Sequence, residues 1–130
     1  MLNKTILMGR LTREPELRHT QSNKPVCSFT LAVDRPKKDA NGHKTTDFLD
    51  VTAWGKSGEF VKQWFTKGMM AIVVGRMQTS QWEDKNGNKR TSVFVNAEEV
   101  NFGETKKKQT ADITVDDFNE IESSDDDVPF

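Results

Sequence analysis

The sequence predicts an all-β domain, a five-stranded barrel with one helix between its third and fourth strands, followed by a disordered acidic C-terminal tail. Three observations carry that expectation. Five stretches alternate apolar with polar residues or are rich in β-branched and aromatic side chains. One stretch, residues 57–68, instead spaces its apolar residues at helical intervals. Beyond Glu104 the chain turns charged and polar, with too few apolar residues to bury a core. The expected organisation is a domain over 1–103, a disordered linker over 104–124 and an acidic tip over 125–130.

The first strand is "NKTILMGRL" (3–11). A polar connection, "TREPELRHTQSNK", leads to the second, "PVCSFTLAVD" (25–34). Here Cys27 alternates with Phe29, Leu31 and Val33, which predicts a buried core thiol, and a single cysteine has no intramolecular disulfide partner. "RPKKDANGHKTT" (35–46) reads as a loop or hairpin from its Pro, Asn and Gly. In the third strand, "DFLDVTAW" (47–54), Leu49, Val51 and Ala53 share the core-facing parity, and Phe48, Asp50, Thr52 and Trp54 share the other.

The helix, "SGEFVKQWFTKG" (57–68), places Phe60, Val61, Trp64 and Phe65 on one face, so all four are expected in the core. Ser57 is its candidate N-cap, Glu59 lies in the first turn, Lys67 in the last, and Gly68 stops it. "MMAIVVGRMQTSQWED" (69–84) is a long fourth strand, "KNGNK" a hairpin turn with Asn86-Gly87 at its tip, and "RTSVFVNAEEVNF" (90–102) the last strand. Three strands, a helix and two strands, with long basic hairpins, is the order of an OB-fold barrel, whose strand face and hairpin loops bind oligonucleotides.

At 130 residues the chain suits one such domain with an appendage. No apolar run approaches a membrane span and the N-terminus lacks a signal-peptide pattern, so a soluble, cytoplasmic protein is expected. The net charge of −1 conceals a polarised molecule. Residues 1–108 hold all 19 Lys and Arg against 12 acids, a net +7, whereas residues 109–130 hold 8 acids and no base. A basic body suits a polyanion, and the acidic tail suits a basic partner or the body itself.

Phe48 and Trp54 on a polar strand face have two readings. They pad a second apolar layer or subunit interface, or they form a platform on which unpaired bases stack. Trp82 shares its parity with Arg76, Gln78 and Ser80 near a protruding basic hairpin, and there binding explains it better than burial. The basic residues placed to follow a phosphate backbone are Arg10, Arg35, Lys37, Lys38, Lys56, Arg76, Lys85, Lys89 and Arg90. Catalysis finds little footing. His19 and His43 have no cysteine at ligand spacing, and no glycine-rich phosphate loop follows a strand. No metal, no cofactor and no enzymatic activity are expected; a metal nuclease on Asp47, Asp50 and Glu59 is the enzymatic rival.

These stretches carry a resemblance. "MLNKTILMGRLTREPELRHT", "DFLDVTAWGKSGEFVKQWFTKG" and "GRMQTSQWEDKNGNKRTSVFVNAEEV" resemble the bacterial single-stranded DNA-binding protein family over residues 1–103, and the closing "DDDVPF" resembles that family's acidic tip. The resemblance implies stacking by Phe48, Trp54 and Trp82, assembly as a homotetramer, and recruitment of replication, recombination and repair proteins by Asp125, Asp126, Asp127, Val128, Pro129 and Phe130. It also implies a role in the SOS response and a nucleoid-associated place in a bacterial or phage-infected cell. The 35–46 loop departs from the family pattern in having no aromatic, carrying Lys37 and Lys38 instead, and the linker lacks the Gly- and Gln-rich character of many members. An RNA-binding OB-fold protein is the alternative function, but it leaves the DDDVPF tip unexplained.

Overall fold

A computed structural model of the chain describes residues 1–104, and the expected linker past Glu104 and the acidic tip lie outside the described residues. The elements run β1 (Thr5–Leu11), β2 (Glu16–His19), β3 (Pro25–Asp34), β4 (Thr46–Trp54), α1 (Gly55–Trp64), β5 (Met70–Glu83) and β6 (Lys89–Phe102). The sheet order is β1-β5-β6-β4-β3-β2, and a further pairing of Arg10 with Ala32 and Leu11 with Leu31 joins β1 to β3. Five strands thereby close into a ring with the helix between β4 and β5, the OB-like barrel expected from the element order.

The strand parities decide what fills it. Cys27, Phe29, Leu31, Val51, Ala53, Val73, Val95 and Ala97 point inward, and Val61 and Phe65 close one end from the helix side. Burial in that apolar interior pushes the Cys27 thiol up to about 11, so it behaves as a small hydrophobe, as its alternation predicts. β5 and β6 continue past the barrel as a ribbon. β5 leaves β1 at Gly75, beside a bulge between Val74 and Gly75 where a side chain would collide with the Asn96 carbonyl of β6. The ribbon starts past Met77 and Val95, since Val95 still pairs with Val51 of β4.

Three local readings are corrected. β2 was hidden in the polar connection: only Leu17 of its four residues packs on the core, while Glu16 and Arg18 face away, and four residues give periodicity little to work with. The helix begins two residues before Ser57, because β4 runs directly into it through Gly55, which takes the sharp bend at φ +62°. It ends at Trp64, since Phe65 is already extended, and Lys62 rather than Lys67 is the base in its last turn. Gly68 serves the next turn instead, with φ +92° and its N–H donated to Leu11 O at 2.8 Å. Third, Trp64 is 40% exposed and does not join the core; the shorter helix leaves it at the rim, while Phe65 turns inward. Phe65 stacks on Phe102 with ring centroids 4.8 Å apart, and Phe60 meets both rings edge-on.

Both ribbon tips use the same turn. In Asp39-Ala40-Asn41-Gly42-His43, Asp39 Oδ1 accepts the N–H groups of Asn41 and His43 at 2.9 and 2.8 Å, and Gly42 has φ +81°. In Asp84-Lys85-Asn86-Gly87-Asn88, Asp84 Oδ1 accepts those of Asn86 and Asn88 at 2.9 Å each, and Gly87 has φ +79°. An Asp opens each turn and a glycine supplies the left-handed residue, so the 35–46 segment is a hairpin of the same kind as 84–88.

Candidate nucleic-acid interface

The outer face of the sheet alternates with the core and follows from the same parities. Across it, Arg18 of β2 pairs with Val26 of β3, which pairs with Trp54 of β4. Thr52 is in register with Asn96 of β6, Asn96 with Arg76 of β5, and Phe94 with Gln78. A groove of about 560 Å³ runs over this row, with Trp54, Phe94, His19 and Arg18 on its walls and Thr52, Ser28, Gln78 and Asn96 along it. A second groove of about 350 Å³ continues past Asp50, Ser92 and Phe94 toward Arg13 and Arg18. Both are open troughs that a chain can lie in, lined by rings, neutral polar groups and the Arg18 guanidinium, with Arg13, Glu16 and Asp50 adding charge to the second.

The three expected stacking residues all lie open. Phe48 is 67%, Trp54 44% and Trp82 49% exposed. Phe48 sits at the far end of β4 from Trp54, six residues or about 20 Å along the strand. Trp82 stands on the β5–β6 ribbon, where its indole N–H donates to Ser92 Oγ at 2.8 Å, and Ser92 lines the second groove. That bond fixes the indole plane while leaving ring surface free. Phe94 is the aromatic that sequence reading passed over. It lines both grooves, and its parity with Ser92 and Asn96, opposite to buried Val95, would have revealed it. Arg18 was missed with β2 itself, and Arg13 with the connection that leads into it.

The nine expected phosphate-following bases divide into two groups. Lys37, Lys38, Lys56, Lys85 and Lys89 are exposed and form no ion pair among the described residues, and Arg76 is exposed beside the groove, its Nε 3.4 Å from Gln78 Oε1. Three are engaged. Arg35 grips Asp47 with two bonds, 3.0 and 2.9 Å. Arg90 Nε donates to Asp84 Oδ2 at 3.0 Å, and Arg10 donates to Gly68 O at 2.9 Å and to Glu104 Oε1 at 3.1 Å. Arg10 lies beside Met8, Ala32 and Met70, not in the groove with Trp54. The carboxylates of the nuclease alternative, Asp47, Asp50 and Glu59, are not gathered either: Asp47 is held by Arg35 and Asp50 accepts from Thr30 Oγ1 at 2.9 Å. No group of three potential metal ligands occurs among the described residues.

Four surface carboxylates are stabilised in their charged form. The Arg35 guanidinium holds Asp47 below the usual carboxylate range, the Asn88 backbone N–H leads in lowering Asp84, Lys44 lowers Asp34, and Lys4 lowers Glu98. A depressed carboxyl contributes stability above its ordinary value, and that contribution disappears as pH falls through the lowered folded value. Thermal stability should therefore be level from pH 7 to about 5 and fall below about pH 4. Melting curves from pH 7 to 2 check this; stability rising on acidification below pH 4 would contradict it.

Residues 2–103 match the family model described as "Single-strand binding protein family". The chain belongs to that family. A "Single-stranded DNA-binding protein" of Thermotoga maritima is 41% identical over 137 aligned positions that cover 98% of this chain and 97% of the relative. "Single-stranded DNA-binding protein 1" of Staphylococcus aureus strain MSSA476 is 46% identical over 106, covering 82% of this chain and 68% of its own. "Single-stranded DNA-binding protein 2" of Listeria monocytogenes is 39% identical, covering 91% and 74%. The family match ends where the barrel's last strand ends, at the close of β6. A family defined by binding agrees with the reading of the chain as a non-enzyme.

Proposed function

We propose that the protein binds single-stranded DNA without regard to sequence. The observation that carries this is the row of exposed rings, Phe48, Trp54 and Trp82, on the outer face of the barrel and its ribbon, with Phe94 added in the groove. Every base has a face on which an aromatic ring can stack, whereas a paired base is already stacked on both sides, so such a surface selects for unpaired strands and ignores identity. Lys37, Lys38, Lys85 and Lys89 on the two ribbons, Lys56 beside Trp54, and Arg76 provide the charge that follows the phosphates. Arg10, Arg35 and Arg90 join them only by sharing or releasing their present partners. Coating by this face keeps exposed strands from re-pairing and from nucleases during replication, recombination and repair. A fluorescence titration with a homopolymer strand at several salt concentrations tests the reading. Trp emission should be quenched, and log K should fall with a slope of about −0.7 per phosphate neutralised.

The domain boundaries proposed are 1–103 for strand binding, 104–124 for a linker and 125–130 for a recruiting tip. In the tip, Phe130 and its carboxylate enter a small apolar pocket with a basic rim on a replication or repair protein, and Asp125, Asp126 and Asp127 meet the rim. The net −8 of residues 109–130 supports this, as does a large aromatic placed last in an acidic run. Removing residues 125–130 should leave strand binding intact or slightly stronger and abolish partner capture. Phe130→Ala should cost more than any single Asp→Asn, because the ring fills a pocket while each charge is one of several. Pull-downs on immobilised single strands compare the forms; equal partner recovery by all of them would reduce the tip to a solubility device.

A homotetramer is proposed for the assembly. Its support is the outer face of β1, where Ile6 and Met8 are exposed, and the open edge of Thr5–Gly9, since β3 pairs only with Arg10 and Leu11. No helix among the described residues is long and apolar enough to cross a membrane. A cytoplasmic, nucleoid-associated location in a bacterial or phage-infected cell, with a part in the SOS response, completes the proposal.

A further inference from the structure

Gln78 of β5 and Asn96 of β6 both line the groove beside Trp54, and their amides are bonded to each other: Asn96 Nδ2 donates to Gln78 Oε1. Arg76 Nε donates toward the same oxygen at 3.4 Å. The direction of this pair is therefore fixed. A guanidinium offers donors only, so the atom Gln78 turns to Arg76 is its oxygen, and Asn96 must then present its NH₂ to that oxygen. What remains is a donor, Gln78 Nε2, and an acceptor, Asn96 Oδ1, on the two amides that this bond joins. Neither has a partner among the described residues. No buried side-chain polar atom is left unsatisfied there, so both are open to solvent in the groove.

A base that stacks in this groove brings a polar edge with it, and burying that edge unpaired carries the full cost of its lost water. All four bases carry a donor beside an acceptor on the Watson–Crick edge: N4–H₂ and N3 in cytosine, N6–H₂ and N1 in adenine, N3–H and O4 in thymine, N1–H and O6 in guanine. An adjacent donor and acceptor on the protein answers each of them, as Asn and Gln amides do in bidentate base contacts. In a duplex the same edge is occupied by the complementary base. We infer that Gln78 and Asn96, oriented by Arg76, form a subsite that hydrogen-bonds the Watson–Crick edge of one unpaired base, whichever base it is. The subsite reads the absence of a pairing partner rather than base identity. It rests on the single-strand reading proposed above and adds hydrogen bonding to stacking within the same groove.

The test uses the full chain and two strands of equal length. One is a thymidine homopolymer; in the other each thymine is replaced by 2,4-difluorotoluene, which has thymine's shape and a stackable face but lacks its hydrogen-bonding groups. The thymidine strand should bind at least about fivefold more tightly, the low end for a bidentate amide–base contact, with Trp quenching by both strands. Gln78→Leu and, separately, Asn96→Leu should bring the two affinities together. Equal or tighter binding of the isostere by the unaltered protein, with quenching retained, overturns the inference and leaves the proposed function standing. A preference that persists in both variants overturns it too. Failure to bind either strand overturns the proposed function, and this inference with it.

Discussion

Replacing Trp54 and Trp82 together by Ala should weaken binding of a single strand by about 2–6 kcal/mol, about 1–3 for each stacked base lost, if the two sites act independently. The fold should survive. Both rings stand on the outer face, 44% and 49% exposed, and the one side-chain bond lost is that of the Trp82 indole to Ser92. Melting curves beside the titrations separate the two effects. A double variant that binds as tightly as the original would remove the rings from the interface; one that melts far below it would make them structural. Phe48→Ala belongs to the same series and should lose about one stacking contact, since its ring is the most exposed of the three.

The largest effect on stability should come from a neighbour of the exposed helix ring. Phe65→Ala should cost about 3–5 kcal/mol, as expected when a buried aromatic is deleted and its cavity only partly collapses. Phe65 is 2% exposed, stacked on Phe102 and packed edge-on against Phe60, so one truncation unsupports the whole cluster at that end of the barrel. Trp64→Ala, one residue earlier, should cost only about 1–2 kcal/mol, in proportion to the smaller area it buries. Denaturant unfolding of the two variants decides it. Equal losses would mean that Trp64 carries core packing after all.

That pair also shows where the sequence was and was not legible. Period-two alternation placed Cys27, Phe29, Leu31, Val51 and Ala53 in the core and turned Phe48 and Trp54 out, because a strand's parity survives errors at its ends. The helix was located by its spacing, but its phase near the end depends on where the backbone leaves helical geometry. That point was set by Phe65 extending to join the aromatic cluster, a tertiary event no local signal announces. The start was missed for a related reason: Ser57 is a good cap in isolation, yet Gly55 permits a direct strand-to-helix bend that makes a separate cap unnecessary. At the site, the exposed rings were readable one strand at a time. The groove was not, because β2 offers four residues with a single inward Leu17, and its Arg18 reaches the site only through pairing with β3. Which bases are free was equally hidden: Arg35 with Asp47 spans 12 positions, and Arg10 with Glu104 spans 94.

Whether this outer face takes unpaired bases by their faces is decided by one comparison. Affinity for a single-stranded oligonucleotide and for a duplex of the same length is measured at one physiological salt concentration by Trp fluorescence. The phosphates are present in both, so charge alone would favour the duplex, with its denser backbone. Stacking on Trp54, Trp82 and Phe48 is available only in the single strand. The single strand should quench strongly and bind much more tightly, with little quenching by the duplex; equal affinity for the two would rule out stacking as the basis of binding.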